Sequence, residues 1–362
     1  MITSPKGFKA AGLACGLKKS GKKDLAIIYS EVPAAAAAVF TTNKFKAAPI
    51  IVSEKQIKHG KIQAIVANAG NANAATGKRG IKDAWTMVSE TARALNIPKE
   101  SVLVTSTGII GKYLPIDKIK AGIKKTAAAI SKDGGHDAAL SILTTDKVAK
   151  EVTIKTGGYT ISGIAKGSGM IDPKMRHATM HAFIATDASI DLKTLQKLLD
   201  EAADKSFNMI SVDTCMSTND CVFVLANGLS NAKAGFKEAL EKVCVELAKM
   251  IAKDGEGATQ LMTVRVTGAA SEKEARLAAK AIANSDLLKC AVYGRDHNPG
   301  RIYAAIGTTS ARMNVDKVKT GMKFGKEETV VTCDLGVGKN SATAWGCDLT
   351  EEYININAKY HT

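Results

Sequence analysis

Short apolar runs that break off at glycine-bearing turns constrain this chain more than any other feature of it. Ile62–Ala67 runs into Asn68-Ala-Gly-Asn-Ala-Asn73, Val102–Val104 into Thr105-Ser-Thr-Gly108, and Ile161–Ala165 into Lys166-Gly-Ser-Gly169. Each run suits a pleated, half-buried strand, and each turn carries residues that tolerate a left-handed backbone or bond their own main chain. Further strand-like runs lie at Val152–Lys155, Val222–Ala226, Val264–Thr267 and Val330–Thr332. Helical periodicities fall between them: Ile119, Ile123, Ala127 and Ile130; Leu192, Leu195, Leu199 and Ala203; Phe236, Leu240, Val243, Leu247 and Ile251. Ser271-Glu-Lys-Glu274 reads as a capping box that opens one more helix, the hydroxyl satisfying an orphan N–H while the glutamate reaches back. The expected class is therefore mixed α/β. Its 362 residues allow two domains or one large unit at ~100–200 residues per domain.

Composition then removes alternatives. Apolar residues are 45% and charged residues 23%, unlike a disordered or collagen-like chain. The longest apolar run, Val32–Phe40, is mostly alanine and far short of the ~20 residues of a membrane span. No charged segment followed by an apolar core opens the sequence, so a cytoplasmic protein with no membrane partner is expected. The seven cysteines form no C-x-x-C pair and no zinc-like spacing, which predicts reduced, mostly buried thiols. Lys+Arg 50 against Asp+Glu 35 gives a net charge of +15. The lysines are spread out, aromatics are only 5% and no nucleic-acid module is present, so no nucleic-acid partner is expected. A diffuse positive field still attracts small anionic substrates.

Familiar catalytic signatures are missing: no Walker A loop, no complete G-x-G-x-x-G, no G-x-S-x-G elbow. His177 and His181 have the spacing of a metal pair but lack the glutamate of H-E-x-x-H, and a packed or solvated pair is the better reading. The stretch Lys166–Asp187 does stand out. A Gly- and Pro-containing loop leads into Ala178-Thr179, and an apolar strand-like run follows. A threonine there becomes a nucleophile if cleavage frees its own α-amine, of pKa ~7.7–8.0, as the base. From the residues alone, a buried structural threonine is the better reading.

Ordered markers along the whole chain change that balance. They are Thr3-Ser-Pro-Lys-Gly-Phe8, Val39-Phe-Thr-Thr42, Asn68-Ala-Gly-Asn-Ala-Asn73, Ser106-Thr-Gly-Ile-Ile-Gly111, Lys166-Gly-Ser-Gly-Met170, Ala178-Thr-Met180, Ser217-Thr-Asn-Asp220, Asp254-Gly-Glu-Gly-Ala-Thr259, Tyr293-Gly-Arg-Asp296 and Ala344-Trp-Gly-Cys-Asp-Leu-Thr350. With them the sequence closely resembles the glutamate N-acetyltransferase/ornithine acetyltransferase family of arginine biosynthesis. Two local departures are the additional Arg176-His177 before Ala178, and Asn298-Pro-Gly-Arg301 where the family has Asn-Trp-Gly-Arg.

The resemblance implies a layered αββα sandwich of the ornithine acetyltransferase/DmpA-like type, with mixed sheets and flanking helices. It implies self-cleavage between Ala178 and Thr179 into chains 1–178 and 179–362, assembled as an α2β2 heterotetramer. The implied reaction moves acetyl from N2-acetyl-L-ornithine to L-glutamate through an acetyl-threonine, with acetyl-CoA as a possible second donor and no cofactor or metal. Carried over residue by residue, Thr179 is the nucleophile, and Thr107 and Gly108 form the oxyanion hole. Lys166, Glu256, Asn357, Thr362, one of Thr144 and Thr145, and Thr179 itself contact substrate. The alternatives are a related N-terminal-nucleophile amidase or aminopeptidase that passes the acyl group to water, and a basic anion- or nucleic-acid-binding protein.

Overall fold

The computed structural model describes residues 1–172 and 180–358. His177, the Ala178–Thr179 junction and Thr362 therefore lie outside the described residues. In chain order the first half runs β1 (Phe8–Leu13), β2 (Leu25–Phe40), α1 (Ala48–Gln56), β3 (Lys61–Asn71), α2 (Gly77–Leu95), β4 (Val102–Ile109), α3 (Ile116–Ala128), α4 (Gly135–Ser141), β5 (Lys150–Thr156) and β6 (Tyr159–Lys166). The second runs β7 (His181–Thr186), α5 (Leu192–Lys205), β8 (Cys221–Ala226), α6 (Phe236–Lys253), β9 (Leu261–Ala269), α7 (Glu272–Ala283), α8 (Asp286–Tyr293), α9 (Pro299–Gly307), β10 (Lys319–Phe324), β11 (Glu328–Asp334), β12 (Asn340–Cys347) and α10 (Glu351–Ala358). Every strand-like run read from the sequence falls inside one of these strands.

The alanine-rich run becomes the second half of β2, a strand that serves two sheets' worth of partners. Leu25–Tyr29 pair with β1 and β3, Ala35–Phe40 pair with β8, and the register shifts between Tyr29 and Ala34. Pro33, with no N–H to give a ladder, falls in that interruption. The resulting eight-stranded sheet has the order β4-β3-β2-β8-β7-β6-β5, with β1 on β2.

Alternation along the strands sorts their side chains into layers. Leu25, Ile27, Val66 and Val104 pack against Met87 and Val88 of α2 and Ile119 and Ile123 of α3. The opposite face, with Ile28, Ile65 and Leu103, shares one core with Ile164, Phe183 and Phe223 of β6, β7 and β8. The far face of those strands, with Ile161, Ile184 and Val224, packs against Leu199 of α5 and Leu240 and Val243 of α6. The order helix, sheet, sheet, helix is the αββα sandwich expected.

A four-stranded sheet, β10-β11-β9-β12, follows in the second half. Its β9 and β12 pack against α7 and also touch α6, so its apolar residues continue the core of the α5–α6 layer. Ser271 caps α7 by accepting the Glu274 N–H at 3.2 Å. The Glu274 carboxylate reaches back to Ser271 by accepting its hydroxyl at 3.3 Å, and it also takes the Arg312 N–H at 2.8 Å and the Arg312 guanidinium at 2.8 Å. Cys221, Cys244, Cys333 and Cys347 are buried thiols, whereas Cys215 and Cys290 are exposed.

Candidate active site

β4 ends where β6 ends and β7 begins. Lys166 and His181 face each other in the β6–β7 register, and the end of β4 meets both. The Thr105 hydroxyl lies 3.0 Å from His181 Nε2, and Lys166 Nζ donates to the Thr107 hydroxyl at 3.3 Å. An ammonium has no lone pair, so Thr107 Oγ1 is the acceptor and its own O–H hydrogen stays available. Next to it, Gly108 has φ +127°, and a Cβ there would stand 2.4 Å from the Gly70 carbonyl carbon. Glycine is required by both conformation and space.

The strand end is braced from beneath. Asn219 Nδ2 donates to the carbonyls of Ser106 at 2.7 Å and Ala72 at 2.6 Å, and its own carbonyl faces His181 Nε2 at 3.0 Å. Burial lowers the His181 pKa to about 3, with the positive charge of Lys166 adding to the effect. The imidazole is thus neutral and packed, which agrees with the packed reading of His181.

A buried ion cluster joins three segments that the sequence keeps far apart. Lys150, with no exposed side-chain surface, donates to Asp146 Oδ1 at 2.7 Å and Asp254 Oδ2 at 2.6 Å. Asp146 Oδ1 also receives the Gly167 N–H at 2.6 Å, and Oδ2 receives the Thr144 N–H at 3.0 Å. Burial by itself would raise the Asp146 pKa, but Lys150, Lys166 and the Gly167 N–H outweigh it and hold the carboxyl well below its usual range. The Thr144-Thr145-Asp146 turn, the end of β6 and the Asp254–Glu256 loop are tied together through Lys150.

Ser168 carries the connection onward. Its hydroxyl meets Thr145 Oγ1 at 2.6 Å, and its carbonyl accepts the Glu256 N–H at 2.8 Å. The Glu256 carboxylate lies against Gly169, where a Cβ would come within 2.3 Å of it. Asn357 of α10 donates to Glu256 Oε2 at 2.8 Å. Asp213 holds the same loop by accepting the N–H groups of Met170 at 2.6 Å and Ile171 at 2.8 Å. Burial raises its pKa, and the charge of Glu256 adds to that against those N–H donors.

Thr107, Gly108, Thr144, Thr145, Lys166, Glu256 and Asn357 thus come together at one end of the sandwich. Thr144 and Gly108 also line a cleft of about 670 Å³ whose wall includes Lys18, Lys22 and Lys147. Ala178, Thr179 and Thr362 lie outside the described residues. Sequence reading missed Lys150, Asp254, Asn219 and Asp213, which hold these residues in place. Asp254 and Asn219 sit inside the quoted motifs, but nothing in the local spacing of Lys150 or Asp213 signals a long-range partner.

The profile of the ArgJ family matches residues 9–326 and 317–362. The chain is similar to the arginine biosynthesis bifunctional protein ArgJ of Caldanaerobacter subterraneus, 47% identical over 399 residues, covering 100% of this chain and 98% of the relative. The protein of the same description from Symbiobacterium thermophilum is 46% identical over 397 residues, covering 100% and 98%. Among solved structures, the ornithine acetyltransferase of Mycobacterium tuberculosis complexed with ornithine is 41% identical, covering 48% of this chain and 94% of that one, with a TM-score of 0.47. Near half identity over full length, under a profile that leaves only the first residues unmatched, makes this chain a member of the ArgJ family.

Proposed function

We propose that this protein transfers the acetyl group of N2-acetyl-L-ornithine to L-glutamate in arginine biosynthesis, through an ester on Thr179. The observation that carries the reading is the Lys166 ammonium on the Thr107 hydroxyl beside Gly108. That arrangement keeps the Thr107 O–H hydrogen available beside Gly108, whose N–H is the second donor in this reading, and two such donors are what a tetrahedral oxyanion requires.

Cleavage before Thr179 gives chains 1–178 and 179–362, which stay together as an α2β2 heterotetramer in the cytoplasm. Thr179 precedes Met180, whose carbonyl accepts the Cys221 N–H at 2.8 Å at the start of β7 and β8. Thr179 Oγ attacks the acetyl carbonyl while its own α-amine takes the proton. Charge on the carbonyl oxygen is met by the Gly108 N–H and the Thr107 O–H. The C–N bond then breaks, the proton passes to the departing amine, and ornithine leaves an acetyl-Thr179 ester. The glutamate amine attacks that ester, and N-acetylglutamate departs. Lys166 suits a substrate carboxylate, Glu256 with Asn357 suits an ammonium, and Thr144 at the cleft adds a hydroxyl. Acetyl-CoA is the second donor in this reading.

The test is product analysis with N-acetylornithine and glutamate. Stoichiometric N-acetylglutamate and ornithine support the proposal. Free acetate without N-acetylglutamate assigns the chain to the amidase alternative, and no turnover of either kind contradicts both. Repeating the assay with acetyl-CoA as donor tests the second activity.

A further inference from the structure

The cleft beside Gly108 is lined by lysines other than Lys166, among them Lys18, Lys22 and Lys147. One wall is the loop that follows β1, and Asp24 fixes its path. That fully buried carboxylate accepts the N–H groups of Cys15 at 2.6 Å, Leu17 at 2.7 Å and Lys18 at 3.1 Å. The loop then lies on Gly70, where a Cβ would stand 3.3 Å from Lys18 Cγ. Gly70 is itself the β3 partner of Gly108. A single glycine therefore separates the stem of Lys18 from the residue assigned to the oxyanion.

The Lys18 ammonium donates to the Lys23 carbonyl at 2.5 Å, and among the described residues it has no carboxylate ion-pair partner. Lys23 differs, because Asp137 pairs with it. Burial lowers the Lys18 pKa to about 8, with Lys22 and Lys166 adding to the effect against Asp24 and Asp146. A half-buried cation that no carboxylate pairs directly gains from an anionic group delivered by a ligand.

The acetyl-transfer reading, on which this inference rests, requires such a group in only one half of the cycle. Ornithine and glutamate share an α-carboxylate, but the ornithine side chain ends in an ammonium and that of glutamate in a second carboxylate. We infer that Lys18 is the residue that selects the acyl acceptor, pairing with the side-chain carboxylate of glutamate in the cleft beside Gly108. Lys166, engaged on the Thr107 hydroxyl, serves the carboxylate common to both substrates. The donor's ammonium end gains nothing from Lys18 and is left to solvent or to Glu256.

Steady-state kinetics separate the two halves, because in a ping-pong cycle kcat/KM for each substrate reports only its own half-reaction. Lys18→Met keeps the stem against Gly70 and removes the charge. The expected result is a fall of about tenfold or more in kcat/KM for glutamate, against less than about threefold for N-acetylornithine. Preference for glutamate over glutamine shrinks in parallel, and Lys18→Arg recovers most of both. Lys18→Gln carries the same expectation should methionine disturb the loop. An unchanged kcat/KM for glutamate, or equal falls for donor and acceptor, overturns the assignment of Lys18. Wild-type enzyme that makes no N-acetylglutamate at all contradicts the acetyl-transfer reading instead.

Discussion

The proposed role of Thr107 on an oxyanion rests on its neighbour Lys166, which leaves the threonine its own hydrogen to donate. Lys166 occupies the Thr107 oxygen as a donor, which turns the O–H outward and places a positive charge behind it. Thr107→Ala is expected to lower kcat by ~10²–10³ with little change in KM, as removal of one oxyanion donor does elsewhere. A loss confined to KM would make Thr107 a plain substrate contact. Lys150 acts differently, through stability. Lys150→Met leaves Asp146 and Asp254 buried without their cation and should cost about 3–5 kcal/mol in urea unfolding at neutral pH. Because the folded Asp146 pKa is depressed, its contribution is full above the unfolded carboxylate value and fades as pH falls. The gap between wild type and Lys150→Met therefore narrows below about pH 4.

At the scale of elements, the site is assembled by strand ends plus a helix that returns from the far end of the chain. α10 comes close enough to Gly257 that a Cβ there would stand 2.4 Å from the Tyr353 nitrogen, and this approach sets Asn357 on Glu256. Asn357→Ala should lower kcat/KM by about tenfold, since a buried carboxylate loses a donor it needs to stay oriented. Activity within twofold of wild type would place the helix outside the site. Of the strands that build this end, β3, β4 and β6 were legible because each runs into a turn with a glycine at positive φ, Gly70, Gly108 and Gly167. α2 was legible too, yet the sequence reading passed over it. Its stripe of Ile81, Trp85, Val88 and Leu95 falls at helical spacing and packs on the core. The alanine run of β2 was readable as too short for a membrane, yet nothing in it announced a strand bridging both halves of the sandwich. Lys150 was invisible for a different reason, because its partner Asp254 is brought near only by tertiary packing.

Across the whole molecule, the two halves of the eight-stranded sheet bury one apolar layer between them and leave the ends of β4, β6 and β7 at a common edge beside a lysine-lined cleft. Lys166, the dispersed positive charge and the cleft all favour small anionic substrates over a polymer, in keeping with amino-acid chemistry. The central claim is that the acetyl group rests on a threonine created by the protein's own cleavage. Mass spectrometry of active protein incubated with N-acetylornithine alone tests it most directly. The predicted result is a chain beginning at Thr179 that carries one acetyl group on that residue and loses it to glutamate when glutamate is added. An active but uncut chain, or a transfer in which Thr179 never carries acetyl, would contradict the account.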